Sequence, residues 1–224
     1  MRCLGLDGYR HGWVVVILDA GTPEIRTVQS VKDALAIPHD IAAIDIPIGL
    51  PDLGYRICDR EARDLLGGQA RSRVFLGARR FILDYETREE AHRHAKSISE
   101  KEPGVGCQLF CISPKIREVD SVMTPARQET VREAHPELVF QRLNGKQALP
   151  SKKSKEGISL RASLLEKEGF ASLPQWLSNR ASKVAKDDVL DACACAIAAR
   201  DAPSGRNRTG WEPDARGLAM QIWY

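Results

Sequence analysis

Cys3-Leu-Gly-Leu-Asp7-Gly8-Tyr-Arg-His-Gly12-Trp-Val-Val-Val-Ile-Leu18 is the stretch on which the fold turns. Cys3 to Asp7 reads as a short strand that stops at Gly8, and the β-branched run from Gly12 to Leu18 has strong strand propensity. The intervening Gly8-Tyr-Arg-His-Gly12 suits a hairpin loop. Outward from it, Gly21-Thr-Pro23 marks a turn, Ile25 to Val28 a third strand, and Val31 to Leu35 a short helix. Ile41-Ala-Ala-Ile-Asp-Ile46 is continuously apolar except for Asp45, the pattern of a strand buried in a parallel sheet. Its exit through Pro47, Gly49 and Pro51 predicts a fixed, non-helical turn. Hairpin, third strand, then buried parallel strand point to a mixed α/β sheet.

From Asp52 to about Arg127 the chain is polar and helix-like. Cys58 to Leu66 and Glu89 to Glu100 are expected helices, and Cys107 to Met123 is mixed. This stretch, at about 52–127, reads as a helical insertion packed beside the sheet of one domain spanning 1–224. Thr130 to Ala134 is a further expected strand, ended by His135-Pro136. After a Lys-rich loop, helices are expected at Leu160 to Glu168, Leu173 to Ser178 and Asp187 to Arg200, and Leu218 to Trp223 alternates as a closing edge strand.

Composition narrows the function classes. The 224 residues are 43% hydrophobic and 28% charged, which excludes a disordered chain, a collagen-like repeat and a coiled coil. No apolar run approaches the ~20 residues of a membrane helix, and Asp7, Arg10 and His11 interrupt any export signal. A cytoplasmic protein with reduced thiols is expected. Cys107 and Cys111 lie one helical turn apart, but no second Cys or His pair stands at zinc-finger spacing, so the six cysteines read mostly as small buried hydrophobes.

The net charge is +3, from 33 Lys and Arg against 30 Asp and Glu, which permits nucleic acid without indicating it. The distribution says more. Between Gln141 and Arg161 stand Arg142, Lys146, Lys152, Lys153, Lys155 and Arg161 against one acid, Glu156. A second cluster is Arg71, Arg73, Arg79 and Arg80. Either run alone reads as a solvated loop.

Five carboxylates stand where propensity and burial disfavour them. Asp7 ends an apolar strand, Asp45 interrupts another, Glu133 lies on the strand before His135, and Asp188 and Asp191 open a helix of Val, Leu, Ala, Cys and Ile. Each has a plain alternative: Asp7 can open a turn, Asp45 can accept backbone N–H groups of the following loop, and Asp188 can stabilise its helix N-terminus. Asp191 is hardest to explain that way, three residues on and on the same helix face as Asp188. If the strands of Asp7 and Asp45 are adjacent and parallel, their acids meet at the sheet's carboxyl edge, where open α/β sheets bind ligands. Three or four carboxylates gathered there call for a hard divalent cation, Mg²⁺ or Mn²⁺.

The order of these features resembles the RNase H-like superfamily, and within it the RuvC-type resolvases, whose late D-x-x-D-A helix is matched by Asp188-Val-Leu-Asp191-Ala192. The whole chain is similar to domain-of-unknown-function family 429, a family of predicted RNase H-like nucleases. The matching stretches are Gly5-Leu-Asp7-Gly8 with Gly12-Trp13, Ile44-Asp45-Ile-Pro47-Ile-Gly49-Leu-Pro51 and Cys58-Asp-Arg60-Glu61-Ala-Arg63. Further along come Arg73-Val-Phe75, Lys115-Ile-Arg-Glu-Val-Asp120, Glu133-Ala-His135-Pro136-Glu137, Ser151-Lys-Lys153 and Lys155-Glu-Gly157.

The resemblance implies a sheet of three antiparallel strands followed by parallel ones, flanked by helices. It also implies a metal-dependent nuclease with Asp7, Asp45, Asp188 and Asp191 as ligands. Asp45 departs from the RuvC pattern, where Glu is usual, and shortens the reach by one methylene. Glu133 joins the catalytic candidates, and His135 stands by to support a ligand. The implied chemistry is phosphodiester hydrolysis by two ions about 3.5–4 Å apart, bridged by Asp7. Lys152, Lys153 and Lys155, with Arg71 and Arg73, would hold the phosphates of a nucleic acid. Action on a two-fold junction would require a homodimer. Two other readings share the fold: a nucleotide-binding protein of the actin and sugar-kinase type, cradling phosphate in Gly8-Tyr-Arg-His-Gly12, and a nucleic-acid-binding module without chemistry.

Overall fold

In the computed structural model, which describes residues 1–181 and 183–224, the apolar run after Gly12 is a strand buried on both faces. It is β2 (Gly12–Leu18), which pairs antiparallel with β1 (Cys3–Tyr9) and with β3 (Glu24–Val28). A short helix α1 (Val31–Ala36) follows, its first turn closed by reciprocal hydrogen bonds between Ser30 and Asp33. β4 (Ile41–Ile44) then lies parallel to β1. Three helices follow, α2 (Ile57–Leu66), α3 (Arg88–Ile98) and α4 (Cys107–Asp120), before β5 (Val131–Ala134) pairs parallel with β4. Next come α5 (Pro136–Leu143), α6 (Lys155–Lys167), α7 (Leu173–Ser178) and α8 (Lys186–Asp201), then short strands β6 (Glu212–Pro213), β7 (Ala219–Met220) and β8 (Ile222–Trp223). The six-stranded sheet runs β3-β2-β1-β4-β5-β8, antiparallel and then parallel, an RNase H-like arrangement.

The chain divides into two compact units. The first comprises Met1–Ile46, Thr130–Arg208 and Trp223–Tyr224, and the second Pro47–Glu129 and Thr209–Ile222. The insertion expected at about 52–127 falls inside the second unit, which also takes in the segment from Thr209.

The first unit is organised by α8. Its residues from Val189 to Ala199 are buried without a break, because Ala and Cys leave a helix slim enough to lie directly on a sheet. Gly5 makes this possible: a Cβ there would stand 2.1 Å from the Ala192 carbonyl and from the Ala196 nitrogen. Any side chain at Gly5 would push the helix off the sheet.

In the second unit two of the four clustered arginines, Arg79 and Arg80, turn out to be framework. Arg79 is fully buried, with Nη1 donating to Glu102 at 2.7 Å and its other nitrogens to the Gly77 and Gly104 carbonyls. Arg80 bridges Asp120 at 2.8 Å and Asp214 at 2.6 Å. Arg216 closes the same network on Asp120. Their partners lie far away in sequence, which is why composition along the chain could not show the pairing.

Three further expectations change. Leu218 to Trp223 is not one edge strand: β7 pairs with β6 in a separate two-stranded sheet and β8 joins the large one. His135-Pro136 does not merely end β5; Pro136 begins α5, the helix position where its missing N–H costs nothing. The helix expected from Leu160 starts at Lys155. Cys3, Cys58, Cys193 and Cys195 are buried and Cys107 and Cys111 exposed, all as free thiols. Among the described residues no helix is long and apolar enough to cross a membrane.

Candidate active site

The parallel pairing of β1 and β4 sets Gly5 level with Ala43, and the same offset sets Asp7 level with Asp45. Asp45 lies one residue past the strand but still donates its backbone N–H to the Leu6 carbonyl at 3.0 Å. Side chains alternate along a strand, so Asp7 and Asp45 share the face of Gly5 and Ala43, the face covered by α8. Ala192 sits on Gly5, which brings the preceding Asp191 to the same place. Asp7 and Asp191 are both buried, and Asp45 is partly so. Three carboxylates from three elements thus meet at the carboxyl edge of the sheet.

Lys152 completes the group. It lies in the loop before α6, and its ammonium donates to Asp191 Oδ2 at 2.5 Å and stands 3.9 Å from Asp187. Its neighbours Lys153 and Lys155 are exposed. The loop is held from below by Arg161, which is fully buried, donates to both oxygens of Glu137 at 2.8 Å and to the Pro150 carbonyl at 3.0 Å, and lies over the Phe140 ring. Gly157 packs against the Ser151 carbonyl so closely that a Cβ would come within 2.0 Å of it.

The electrostatics follow from burial. Asp7 is pushed well above the usual carboxylate range, by burial first and then by Asp191 and Asp45. Burial likewise lifts Asp191 to about 7, against the pull of Lys152. Asp45 rises to about 6 by burial, opposed by Lys152 and reinforced by Glu137. Lys152, despite the cost of its own burial, is pushed up by Asp191, Asp45 and Asp7. Burial therefore favours the protonated form of all three carboxylates, with one ammonium beside them hydrogen-bonded to Asp191. The second oxygen of Asp191, Oδ1, is buried and accepts no hydrogen bond from the described residues.

The remaining candidates divide. Asp188 acts electrostatically on Asp7, but its Oδ2 accepts the Ala185 N–H at 2.7 Å and so serves the start of α8. Burial raises Asp188 too, against that backbone donor. Glu133 is level with Ile44, which is level with Leu6, so it lies on the face of the sheet opposite Asp7 and Asp45. His135 immediately precedes α5, and its backbone N–H donates to the Trp223 carbonyl at 3.3 Å. Arg71 and Arg73 belong to the second unit, on a 3-10 turn (Gly68–Arg73), where Arg71 pairs with Asp64 at 3.1 Å.

A family model described as "Protein of unknown function (DUF429)" matches residues 5–216. The chain belongs to that family. No curated protein and no solved structure matches it.

In this DUF429 chain the sequence pattern does not reveal Glu137 and Arg161 as parts of the site. Both are charged and buried, and Glu137 acts on Asp45 and Asp191. The signals available are Glu137 within the stretch that resembles the family, Pro136 followed by an acid as a helix start, and Arg161 at the end of a basic run, and none of them shows that the two charges are buried together. The carboxylate set also has a plain limit. Among the described residues, no three Asp, Glu, His or Cys side chains stand close enough to hold a metal ion as they are. The donor chemistry nevertheless suits one: all carboxylate oxygens, one of them buried without a partner, and a single ammonium between them.

Proposed function

We propose that this DUF429 protein is a divalent-metal-dependent phosphodiesterase acting on nucleic acid. The observation that carries the reading is the convergence of Asp7, Asp45 and Asp191 at the carboxyl edge of the sheet with too little positive charge, leaving Asp191 Oδ1 unsatisfied. A buried carboxylate oxygen without a donor costs free energy, and at this edge the cost falls beside two further acids that burial already disfavours as anions.

Asp7, Asp45 and Asp191 would hold the metal, Mg²⁺ or Mn²⁺, with Asp188 beside them once it leaves its backbone partner. A bound divalent ion would make water more acidic and would stabilise charge on the leaving oxygen. The chain's own groups do the rest. Lys152, on its four-carbon stem, reaches a phosphate oxygen, and Lys153 and Lys155 steer the polyanion to the edge. α8 and the sheet beneath it keep water from the inner side of the carboxylates, which strengthens every charge interaction there.

The test is cleavage of fluorescent single-stranded, duplex and branched oligonucleotides in Mn²⁺, with Asp7→Asn as the control and circular dichroism to confirm its fold. Cleavage by the wild type falling at least about 100-fold in Asp7→Asn is expected, the scale on which single charge-stabilising groups act. Activity that survives the substitution would sink the assignment. Salt-sensitive binding with no cleavage in any metal would leave a nucleic-acid-binding module.

A further inference from the structure

Lys152 is placed with more care than a phosphate-seeking surface lysine requires. Its loop is clamped at Pro150 by Arg161, which is itself locked by two hydrogen bonds to Glu137. At its end, Ser154 donates its backbone N–H and its hydroxyl to the Ser151 carbonyl, at 2.9 and 2.8 Å, and accepts the Gly157 N–H at 3.0 Å. The backbone at Lys152 is thus held on both sides, and only the side chain has freedom to move. That side chain is 36% exposed, while its carboxylate partner is 3% exposed. The lysine side chain therefore lies between a buried carboxylate and solvent.

We propose that Lys152 is the resident cation of this site and exchanges partners during binding, leaving Asp191 for a phosphodiester oxygen, so that a divalent ion and the phosphodiester enter together. The inference rests on the phosphodiesterase reading and adds an order to it. While Lys152 is bonded to Asp191 Oδ2, a divalent cation meets an ammonium at the position where the carboxylates converge. It must repel or displace that charge, and an ammonium displaced from Asp191 needs an acceptor in exchange. A phosphodiester supplies one. No covalent step is involved; one ion pair breaks and another forms. The arrangement keeps the site from loading metal, and from activating water, before a substrate is present.

The experiment is Mn²⁺ binding to the full chain at pH 8, read by the electron paramagnetic resonance of free Mn²⁺, with and without dimethyl phosphate as a minimal phosphodiester. Wild type, Lys152→Gln and Lys152→Arg are compared. The wild type is expected to bind Mn²⁺ weakly and to gain at least ~10-fold in affinity with dimethyl phosphate. Lys152→Gln should bind at least ~10-fold more tightly than wild type without the phosphodiester and respond to it by less than ~2-fold. Lys152→Arg, which keeps the cation, should remain weak; tight binding by this variant would overturn the proposal. Wild type and Lys152→Gln binding Mn²⁺ alike would overturn the exchange while leaving the metal site standing. Binding by neither, with or without dimethyl phosphate, would remove both. Because Lys152 is partly exposed and replaces no packed group, circular dichroism of Lys152→Gln should match wild type. Should Lys152→Gln fail to fold, wild type decides the proposal by itself: an Mn²⁺ affinity unchanged by dimethyl phosphate would overturn it.

Discussion

Buried carboxylates fare differently at two places in this molecule, Asp214 in the second unit and the Asp7, Asp45 and Asp191 group in the first. In the second, Asp214 accepts backbone N–H groups from Leu50, Arg216 and Leu218 as well as a guanidinium nitrogen of Arg80. Burial pulls its carboxyl up, yet those donors hold it below the usual range. Arg79 is as closely matched by Glu102 and three carbonyls. In the first unit, Asp7, Asp45 and Asp191 are all pushed up, and one oxygen has no donor. Burial is common to both regions, so burial alone does not mark a functional site. The mark is several carboxylates raised together at one place, since a single buried oxygen without a donor, such as Asp120 Oδ1, occurs in the framework as well.

The largest effect that can break this contrast comes from removing a framework cation. Arg79→Ala would strand Glu102 without its guanidinium, and breaking a buried pair from one side costs about 3–5 kcal/mol. Thermal unfolding should fall by roughly 10 °C for a chain of this size. A shift within about 2 °C would mean that Arg79 is not the closed, stabilising pair described above and that the contrast fails.

The carboxylate group should behave with the opposite sign. A carboxyl whose folded-state pKa is raised stabilises the fold only while protonated. The contributions of Asp45 and Asp191 are therefore full below the ordinary value of about 3.9 and are lost as pH rises through about 6 and about 7. Asp214, held low, contributes above the ordinary value and loses that contribution only in acid. Without metal, the melting temperature of wild type relative to Asp45→Asn should drop by roughly 5 °C between about pH 5 and about pH 8. Millimolar Mn²⁺ should abolish the drop in wild type. A difference that stays constant across the range would show that Asp45 is not the strained acid its surroundings imply.

Much of this is legible in the sequence, and the failures have physical causes. The hairpin, the buried parallel strand and the three converging acids all declare themselves through local pattern: alternation, β-branched runs, and a carboxylate set among Ile, Leu and Ala. Asp7, Asp45 and Asp191 stand out because their neighbours in sequence are also their neighbours in space. Arg79 and Arg80 mislead because Glu102, Asp120 and Asp214, which pair with them, are long-range partners. α5 is hidden because Pro136 looks like a stop and is a start, and Glu137 is lost with it. Asp188 and Glu133 resemble the other acids in type and context. A helix-end hydrogen bond separates the first and strand alternation the second, and neither can be seen without the register.

Lys152, Lys153 and Lys155 show the same limit at its narrowest. Three lysines within four positions are equivalent as a pattern, yet the clamp on Pro150 turns Lys152 inward and leaves the other two in solvent. If Lys153 and Lys155 meet nucleic acid only as diffuse charge, the smallest effect of the set is expected from them. Each alanine substitution should reduce the slope of log affinity against log salt by roughly 0.7–0.9, the share of one neutralised phosphate, and leave stability unchanged. Arg71→Ala should alter the slope less, because that guanidinium already has Asp64 for a partner, and its loss should cost well under about 1 kcal/mol. Fluorescence anisotropy of one labelled oligonucleotide over a salt series separates the two units. An unchanged slope in the double variant Lys153→Ala, Lys155→Ala, with a reduced one in Arg71→Ala, would move the electrostatic contact to the second unit. It would also leave the first unit's carboxylates without the polyanion that their missing charge implies.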